Sequence, residues 1–395
     1  MFNNIKIFIS DTTLRDGEQT YGFVFSNPEK ITIAKLLCEI GIHELEVGFP
    51  SQPGFEYEYL VDLVLLKKKY NWQTRLIGWH RPVVSEIKAS VKIGLDGASS
   101  SIPITNKIIK NVLKSSYSEV LTKQREAIEF LVNSGLYAIS DFQDAFLAEK
   151  SYLFEMIQMC QEVGANRIRL CDTVGRTTPF KIYDLVNEIA NKFEIDIEIH
   201  AHNDLGLAVA NCIAGIMALK DSQNNTNSKS IRNIFLSTTV NGIGERTGNT
   251  DLFTLYAALN IGYNLNLNID TSHFHLISEY VSIASNRPVP VNAPVVGENN
   301  WRHSSGIHVD GILKDTSSYE LIPPIYVGLP ESVRKIGIGK HSGKHALIHN
   351  LNRLGVNIND SEAFKIIEGL RKLIIIKKRM LTDTEIINFV LKKDY

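Results

Sequence analysis

Cysteine is scarce in this chain. The four in 395 residues, Cys38, Cys160, Cys171 and Cys212, form neither a CxxC pair nor a zinc-ligand set, so a disulfide framework and a structural zinc ribbon are excluded. Reduced thiols in a cytosol-like compartment follow. Long apolar runs are also missing: none approaches the ~18 residues that span a bilayer. A formal net charge of -1 offers no overall field to nucleic acid or an anionic membrane. Neither is expected as a partner. The opening "MFNNIKIFISD" runs directly into an apolar segment and leaves no room for a targeting peptide. The expected location is cytoplasmic, or the plastid stroma if the protein is organelle-encoded.

What the chain does have is size and rhythm. Apolar residues make up 44% of it, enough for a large barrel plus an appendage. Short apolar runs, Lys6–Ser10, Glu44–Gly48, Arg75–Trp79, Gly97–Ser101, Tyr137–Asp141, Arg167–Cys171, Asp196–His200 and Ile234–Val240, alternate with stretches of helical period. Residues 29–42, 151–164 and 179–193 repeat apolar side chains at i, i+3, i+4 and i+7. Ser151 is placed to cap one helix and Pro179 to open another. Eight strand-then-helix units predict an α/β fold, a (β/α)8 TIM barrel, with a doubly wound open sheet as the alternative. The rhythm stops after Phe253. Residues 1–270 are read as the barrel and 271–395 as a mostly helical C-terminal region that begins with a linker. That region contains the proline-rich connection "NRPVPVNAPVVG". The polar stretch 220–230 reads as a surface loop, and "KKR" at 377–379 as a solvated helix face.

Either fold gathers ligands at the carboxyl ends of its strands, so polar residues there are informative. In "IDIEIHAHND" the isoleucines alternate with Asp196, Glu198, His200 and His202. Side chains alternate faces along a strand, so the isoleucines face the helices and both histidines face inward. Two imidazoles at i and i+2 can chelate one divalent ion. In "SDTTLRDGEQT", Asp16 follows the first strand, and a closed ring of eight brings the first strand near the seventh. One carboxylate and two imidazoles suit a divalent ion and leave positions open. Asp16 as an ordinary turn residue is the bland alternative. Arg15 can bind a carboxylate bidentately or form a simple ion pair. Other strand ends carry Glu46, then Trp79, His80 and Arg81, then Gln143 and Asp144, then Asp172 and Thr173. After the eighth strand "NGIGERTGN" has three glycines that permit a tight path near a ligand.

Six stretches, "DTTLRDGEQ", "CDTVG", "HAHNDLGLAVAN", "NGIGERTGN", "SGIHVDG" and "GKHSGKHA", together resemble the DRE-TIM metallolyases. Within them the resemblance is to the acyl-CoA condensing enzymes: 2-isopropylmalate, homocitrate and citramalate synthases. They span residues 11 to 346, nearly the whole chain. Overall similarity, and "LIGWHRP" at 76–82, point to the homocitrate synthases of nitrogen fixation. The resemblance implies a barrel with a divalent metal, Mg, Mn or Zn, held by Asp16, His200, His202 and Asn249. Arg15 would bind the oxygens of a 2-oxo acid and Thr173 its carboxylate. Glu46, Trp79 and Arg81 would shape the pocket for its far end. It further implies a homodimer in which His308, with Asp310 beside it and Tyr319 following, reaches over the partner's barrel.

The activity so implied is condensation of acetyl-CoA with 2-oxoglutarate to give homocitrate and CoA. The alternative oxo acid is 2-oxoisovalerate, as in leucine biosynthesis. His308, assisted by Tyr319, is read as the base that removes the methyl proton. His80 or Arg81 could meet a second carboxylate. One departure stands out. The family pattern after the fifth strand is usually Cys-Glu-Asp-Ala, and this chain has "FQDA". Gln143 keeps the size of a glutamate but cannot take up a proton. This keeps open a barrel that binds substrate without turnover; a lyase of the same superfamily is a separate reading, for which no matching reactive cysteine is seen.

Overall fold

The computed structural model describes residues 4–225 and 232–392. Its centre is a closed parallel barrel whose strands follow chain order around the ring. They are β1 (Ile5–Asp11), β2 (Glu44–Gly48), β3 (Arg75–His80), β4 (Gly97–Pro103), β5 (Tyr137–Gln143), β6 (Arg167–Asp172), β7 (Asp196–Ala201) and β8 (Arg232–Thr238). The ring closes where β8 pairs with β1 in continuous register from Ile5 against Arg232 to Asp11 against Thr238. This is the (β/α)8 barrel that the strand–helix rhythm predicted, and the open sheet is set aside.

The covering helices are α1 (Asn27–Glu39), α2 (Phe55–Tyr70), α3 (Val84–Ile93), α4 (Asn106–Asn111), α5 (Tyr117–Asn133), α6 (Lys150–Glu162), α7 (Pro179–Lys192), α8 (Ala208–Asn225), α9 (Leu252–Ala257) and α10 (Phe274–Ser285). Their starts follow from local chemistry. Ser26 and Glu29 form a capping box on α1, and Pro179 opens α7 behind Thr178, where a missing N–H costs nothing. Two expectations need correction. The residue capping α6 is Glu149, and Ser151 lies inside the helix. Residues 220–225 are not a loop but the last turns of α8, whose Ser222 and Gln223 are buried; 226–230 lie outside the described residues.

The chain divides into two compact units. One runs to Asp270 and takes in Ile277–Pro288; the other comprises Thr271–Leu276 and the chain from Val289 on. The second unit contains α11 (Gly306–Lys314), α12 (Lys344–Arg353), α13 (Asp360–Lys377) and α14 (Asp383–Leu391). Leu347, Leu351, Ile366, Leu370, Ile374 and Ile386 form its core. Residues 286–297 carry no helix or strand, in keeping with their prolines. Among the described residues, no helix is long and apolar enough to cross a membrane.

The barrel's apolar core lies between strands and helices, where Ile7, Ile9, Leu45, Val47, Ile168, Leu170, Ile197 and Ile199 are buried. Its lumen is charged. Arg167 sits between Glu198, 2.8 Å away, and Glu44 at 3.0 Å. Arg169 sits between Glu46 at 2.6 Å and Glu198 at 3.0 Å. All five side chains are at most 1% exposed. Such charges survive burial only when each faces its opposite. Burial would drag both guanidiniums down, but Glu198 leads the carboxylates that hold them above their ordinary value. The ladder ends upward in Arg15, whose Nε lies 2.6 Å from Glu46.

Candidate active site

After β1 the chain makes a tight turn before α1. The Thr12 carbonyl accepts from the N–H groups of Arg15 at 3.1 Å and Gly17 at 3.0 Å, while the Thr12 N–H donates to Thr238 at 2.8 Å. The Thr12 hydroxyl donates to Glu46 at 2.9 Å and accepts from the Asp16 N–H at 3.3 Å. The turn is thereby fastened to β2 and β8, and Arg15 and Asp16 stand side by side over the carboxyl ends of the strands. A buried lysine reinforces this. Lys30 of α1 holds Glu18, just past Asp16, and Glu56 of α2, each at 2.8 Å. Glu56 in turn accepts from the Phe49 N–H. One cation thus ties two mouth loops together.

Asp16 Oδ2 lies 2.9 Å from His200 Nε2 and 3.9 Å from His202 Nε2. The ligand atoms of these three buried residues all fall within 4.8 Å of one another. His202, one step beyond β7, forms an isolated bridge with Asn249. The loop bearing Asn249 depends on its glycines. A Cβ on Gly244 would fall 2.2 Å from Asn249 Nδ2, and one on Gly248 would fall 1.8 Å from the Gly242 carbonyl. Asn249 Nδ2 donates to Ile243 at 3.2 Å, which leaves its Oδ1 buried without a partner, like Nδ1 of both histidines. Native proteins rarely leave a buried amide oxygen such as Asn249 Oδ1 unmet. A carboxylate, two imidazoles and an amide oxygen fit a divalent cation. Burial, then the neighbouring His200, lowers His202 to about 4 and keeps it in the neutral, ligating form. Burial alone would raise Asp16, but Arg15 and the two histidines hold it well below the usual carboxylate range.

The other residues singled out from sequence separate into groups. Thr173 follows β6; its hydroxyl accepts from the Asp144 N–H at 2.9 Å, which leaves the hydroxyl proton to donate. Arg246 pins the Thr173 carbonyl at 2.8 Å and pairs with Asp204 at 2.9 Å, joining the loops after β6, β7 and β8. Gln143 ends β5 and donates to Ser101 at 3.1 Å. Trp79 faces the lumen: its Nε1 donates to Asp141 at 3.3 Å, its ring meets Phe49 edge-on, and Arg15 lies 5.7 Å from it. Glu46 is committed entirely to holding others. Its two oxygens meet Thr12, Arg15, Ser99 and Arg169. Burial would raise it, yet Arg15 and Arg169 keep it far below the usual range.

Arg81 pairs with Glu86 with its side chain 69% exposed. His80 bonds Ser90 of α3 at 2.7 Å, and burial lowers it to about 4, so it is neutral. Both line a cavity of about 370 Å³ with Trp79 and Phe49. His308, Asp310 and Tyr319 belong to the second unit. There the rings of His308 and Tyr319 stack at 4.3 Å. Gly311 makes the room, since a Cβ there would fall 2.4 Å from the Tyr319 ring. Asp310 is held by Lys314 and His345, each at 2.7 Å. Sequence reasoning passed over Glu44, Arg167, Arg169, Asp141 and Lys30. The signal for three of them was the period-2 charge in "ELEVG" and "RIRL".

Comparison with known proteins identifies the family and the fold. Residues 6–281 match the HMGL-like family, and residues 295–378 match the homocitrate synthase post-HMGL domain-like family. The chain belongs to the HMGL-like family, as the six stretches indicated. It is 42% identical over 380 residues to 2-isopropylmalate synthase 2 of Caldanaerobacter subterraneus subsp. tengcongensis, covering 96% of this chain and 94% of that one. It is 37% identical over 390 residues to homocitrate synthase 1 of Nostoc sp., covering 99% and 98%. Among solved structures, an HMG-CoA lyase from Bacillus subtilis superposes with a TM-score of 0.60 at 15% identity, covering 72% of this chain and 95% of that one. At that identity the likeness concerns the fold.

Proposed function

We propose that this chain is a divalent-metal-dependent acyltransferase that condenses acetyl-CoA with a 2-oxo acid and releases CoA. The observation that carries this is Arg15 and Asp16 side by side at the barrel mouth, with Asp16 meeting His200 and His202. The relatives support it, being named 2-isopropylmalate and homocitrate synthases. Asp16, His200, His202 and Asn249 would hold the ion. When bound, it would supply Lewis acidity at the ketone and carboxylate of the oxo acid.

The chain's own groups do the rest. The Thr173 hydroxyl donates to the substrate carboxylate. Arg15, its Nε fixed on Glu46, turns its terminal nitrogens to the oxygen that becomes an alkoxide. A base takes the acetyl methyl proton, the new C–C bond forms, and the former ketone oxygen gains a proton. Water then cleaves the thioester to a carboxylate and the CoA thiol. His308, assisted by Tyr319, is the proposed base, supplied in a homodimer by the other copy.

Two oxo acids compete. The segment around Trp79 favoured 2-oxoglutarate and hence homocitrate. A second reading, 2-oxoisovalerate, is favoured by one observation: His80 and Arg81, offered as partners for a second carboxylate, are engaged with Ser90 and Glu86. CoA-thiol release by metal-loaded protein with 2-oxoglutarate, 2-oxoisovalerate, pyruvate and oxaloacetate tests the reading. Release that needs an oxo acid and stops with chelator is expected; no release with any of the four refutes it.

A further inference from the structure

The condensation proposed above leaves open the charge on the oxo acid's side chain, and the barrel's upper lumen bears on it. A second carboxylate there needs an uncommitted cation. Arg15 is engaged by Glu46 at 2.6 Å and lies 3.6 Å from Asp16. Arg169 is buried between Glu46 and Glu198. Arg246 is engaged by Asp204 and Arg81 by Glu86. His80 is neutral and bonded to Ser90 on the helix side of the barrel.

Asp141 is an acidic side chain in the same space with no guanidinium at hydrogen-bond distance. It is on the lumen face of β5, one inward position below Gln143, in register with Ser101 on β4 and Arg169 on β6. Its oxygens accept from two neutral donors, Trp79 Nε1 at 3.3 Å and Cys171 Sγ at 2.9 Å. The nearest guanidinium nitrogen is Arg169 Nη1 at 3.6 Å, and Arg169 is already shared by two glutamates. Burial, then Asp141 itself, pushes the Cys171 thiol well above its ordinary value, so the sulfur stays a donor. Glu44, Glu46 and Glu198 each have two arginines within 3.0 Å, whereas Asp141 has only Arg169, at 3.6 Å, with Arg15 acting on it from farther off. The other polar groups beside it, Ser101 and Gln143, carry no charge to offset it.

We propose that Asp141 is a specificity-determining residue: its buried carboxylate repels a second carboxylate on the substrate and restricts the site to 2-oxo acids with short, neutral side chains. Like charges a few ångströms apart in a poorly solvated pocket separate two ligands by about tenfold or more.

The test uses the metal-loaded full chain, with two readouts for 2-oxoisovalerate and 2-oxoglutarate. One is kcat/KM for CoA-thiol release; the other is calorimetric binding of each oxo acid without acetyl-CoA. The wild type is expected to favour 2-oxoisovalerate at least tenfold in both. Asp141→Asn and Asp141→Ser are expected to narrow that ratio at least tenfold through better use of 2-oxoglutarate. Parity or a preference for 2-oxoglutarate in the wild type overturns the proposal, and needs no variant to fold. An unchanged ratio in both folded variants overturns it too. Failure of the condensation reading looks different: no CoA is released with any oxo acid. The binding ratio then still decides the role of Asp141, and if neither oxo acid binds, the proposal falls as well.

Discussion

Glu46→Gln is the sharpest perturbation of the lumen. The side chain is fully buried, and its oxygens accept from Thr12, Ser99, Arg15 and Arg169. Glutamine matches its size, but removes the negative charge and turns an NH2 group toward donors. Arg15 and Arg169 then lose the carboxylate that both touch. Removing one partner of a buried ion pair costs about 3–5 kcal/mol. At about 2–4 °C of melting temperature per kcal/mol for a unit of this size, the barrel should melt roughly 6–20 °C lower. Scanning calorimetry and urea unfolding of the metal-free chain measure this. Glu86→Gln is the control, because its partner Arg81 is 69% exposed and such solvated pairs contribute little to stability. The double variant Glu46→Gln with Arg169→Met should lose less than the two single losses combined, since one stranded charge is gone. A Glu46→Gln protein that melts within a degree of the wild type would refute the ladder as a set of interdependent charges.

Asp16→Asn and His202→Ala should each lower divalent-ion affinity by at least a hundredfold, read by calorimetry, while melting of the metal-free protein moves by less than ~3 kcal/mol equivalents; undiminished affinity in both would dismiss the site. Lys30→Met should leave Glu18 and Glu56 as two half-buried carboxylates without their cation, costing about 1–3 kcal/mol and weakening ion binding through the Asp16 turn, with Lys30→Arg recovering part of both. His80 has a pH consequence with a definite sign. Burial lowers its folded value to about 4 against an ordinary 6.5. Between those values the unfolded chain binds the proton and the folded chain does not, so stability falls as pH drops from about 6.5 toward 4. His80→Asn should flatten that part of the urea-unfolding profile by about 3 kcal/mol; an identical slope in both proteins would contradict the burial argument.

Much of the barrel was legible because its outer strand faces are isoleucine, leucine and valine repeated every second residue, a pattern that survives without any tertiary information. The same alternation placed His200 and His202 inward, and the ring closure brought Asp16 to them. What escaped was the reason for charge at the deeper positions. "ELE" and "RIR" read alike whether the polar face meets water or a lumen, and only closing the barrel sets Glu44 against Arg167, 123 residues apart. Lys30 was hidden for the same reason: its partners Glu18 and Glu56 lie 12 and 26 residues away. Helix ends failed where periodicity has nothing to say. It shows which face of α6 is buried but not that Glu149, rather than Ser151, begins it. In α8 the polar residues 220–225 looked like a loop because composition alone cannot see that Ser222 and Gln223 turn toward the core. The direction of Arg81 and His80 was equally beyond the sequence, since it depends on Glu86 and Ser90 of the next helix.

The most direct measurement follows the acetyl methyl carbon. Acetyl-CoA labelled with carbon-13 at the methyl is incubated with the metal-loaded protein and a 2-oxo acid, and the product is read by NMR. Condensation predicts that the label appears as a methylene beside a tertiary alcohol carbon, in a free acid, with one CoA thiol released per label. Label that remains a methyl, in acetate or in unreacted thioester, would contradict it.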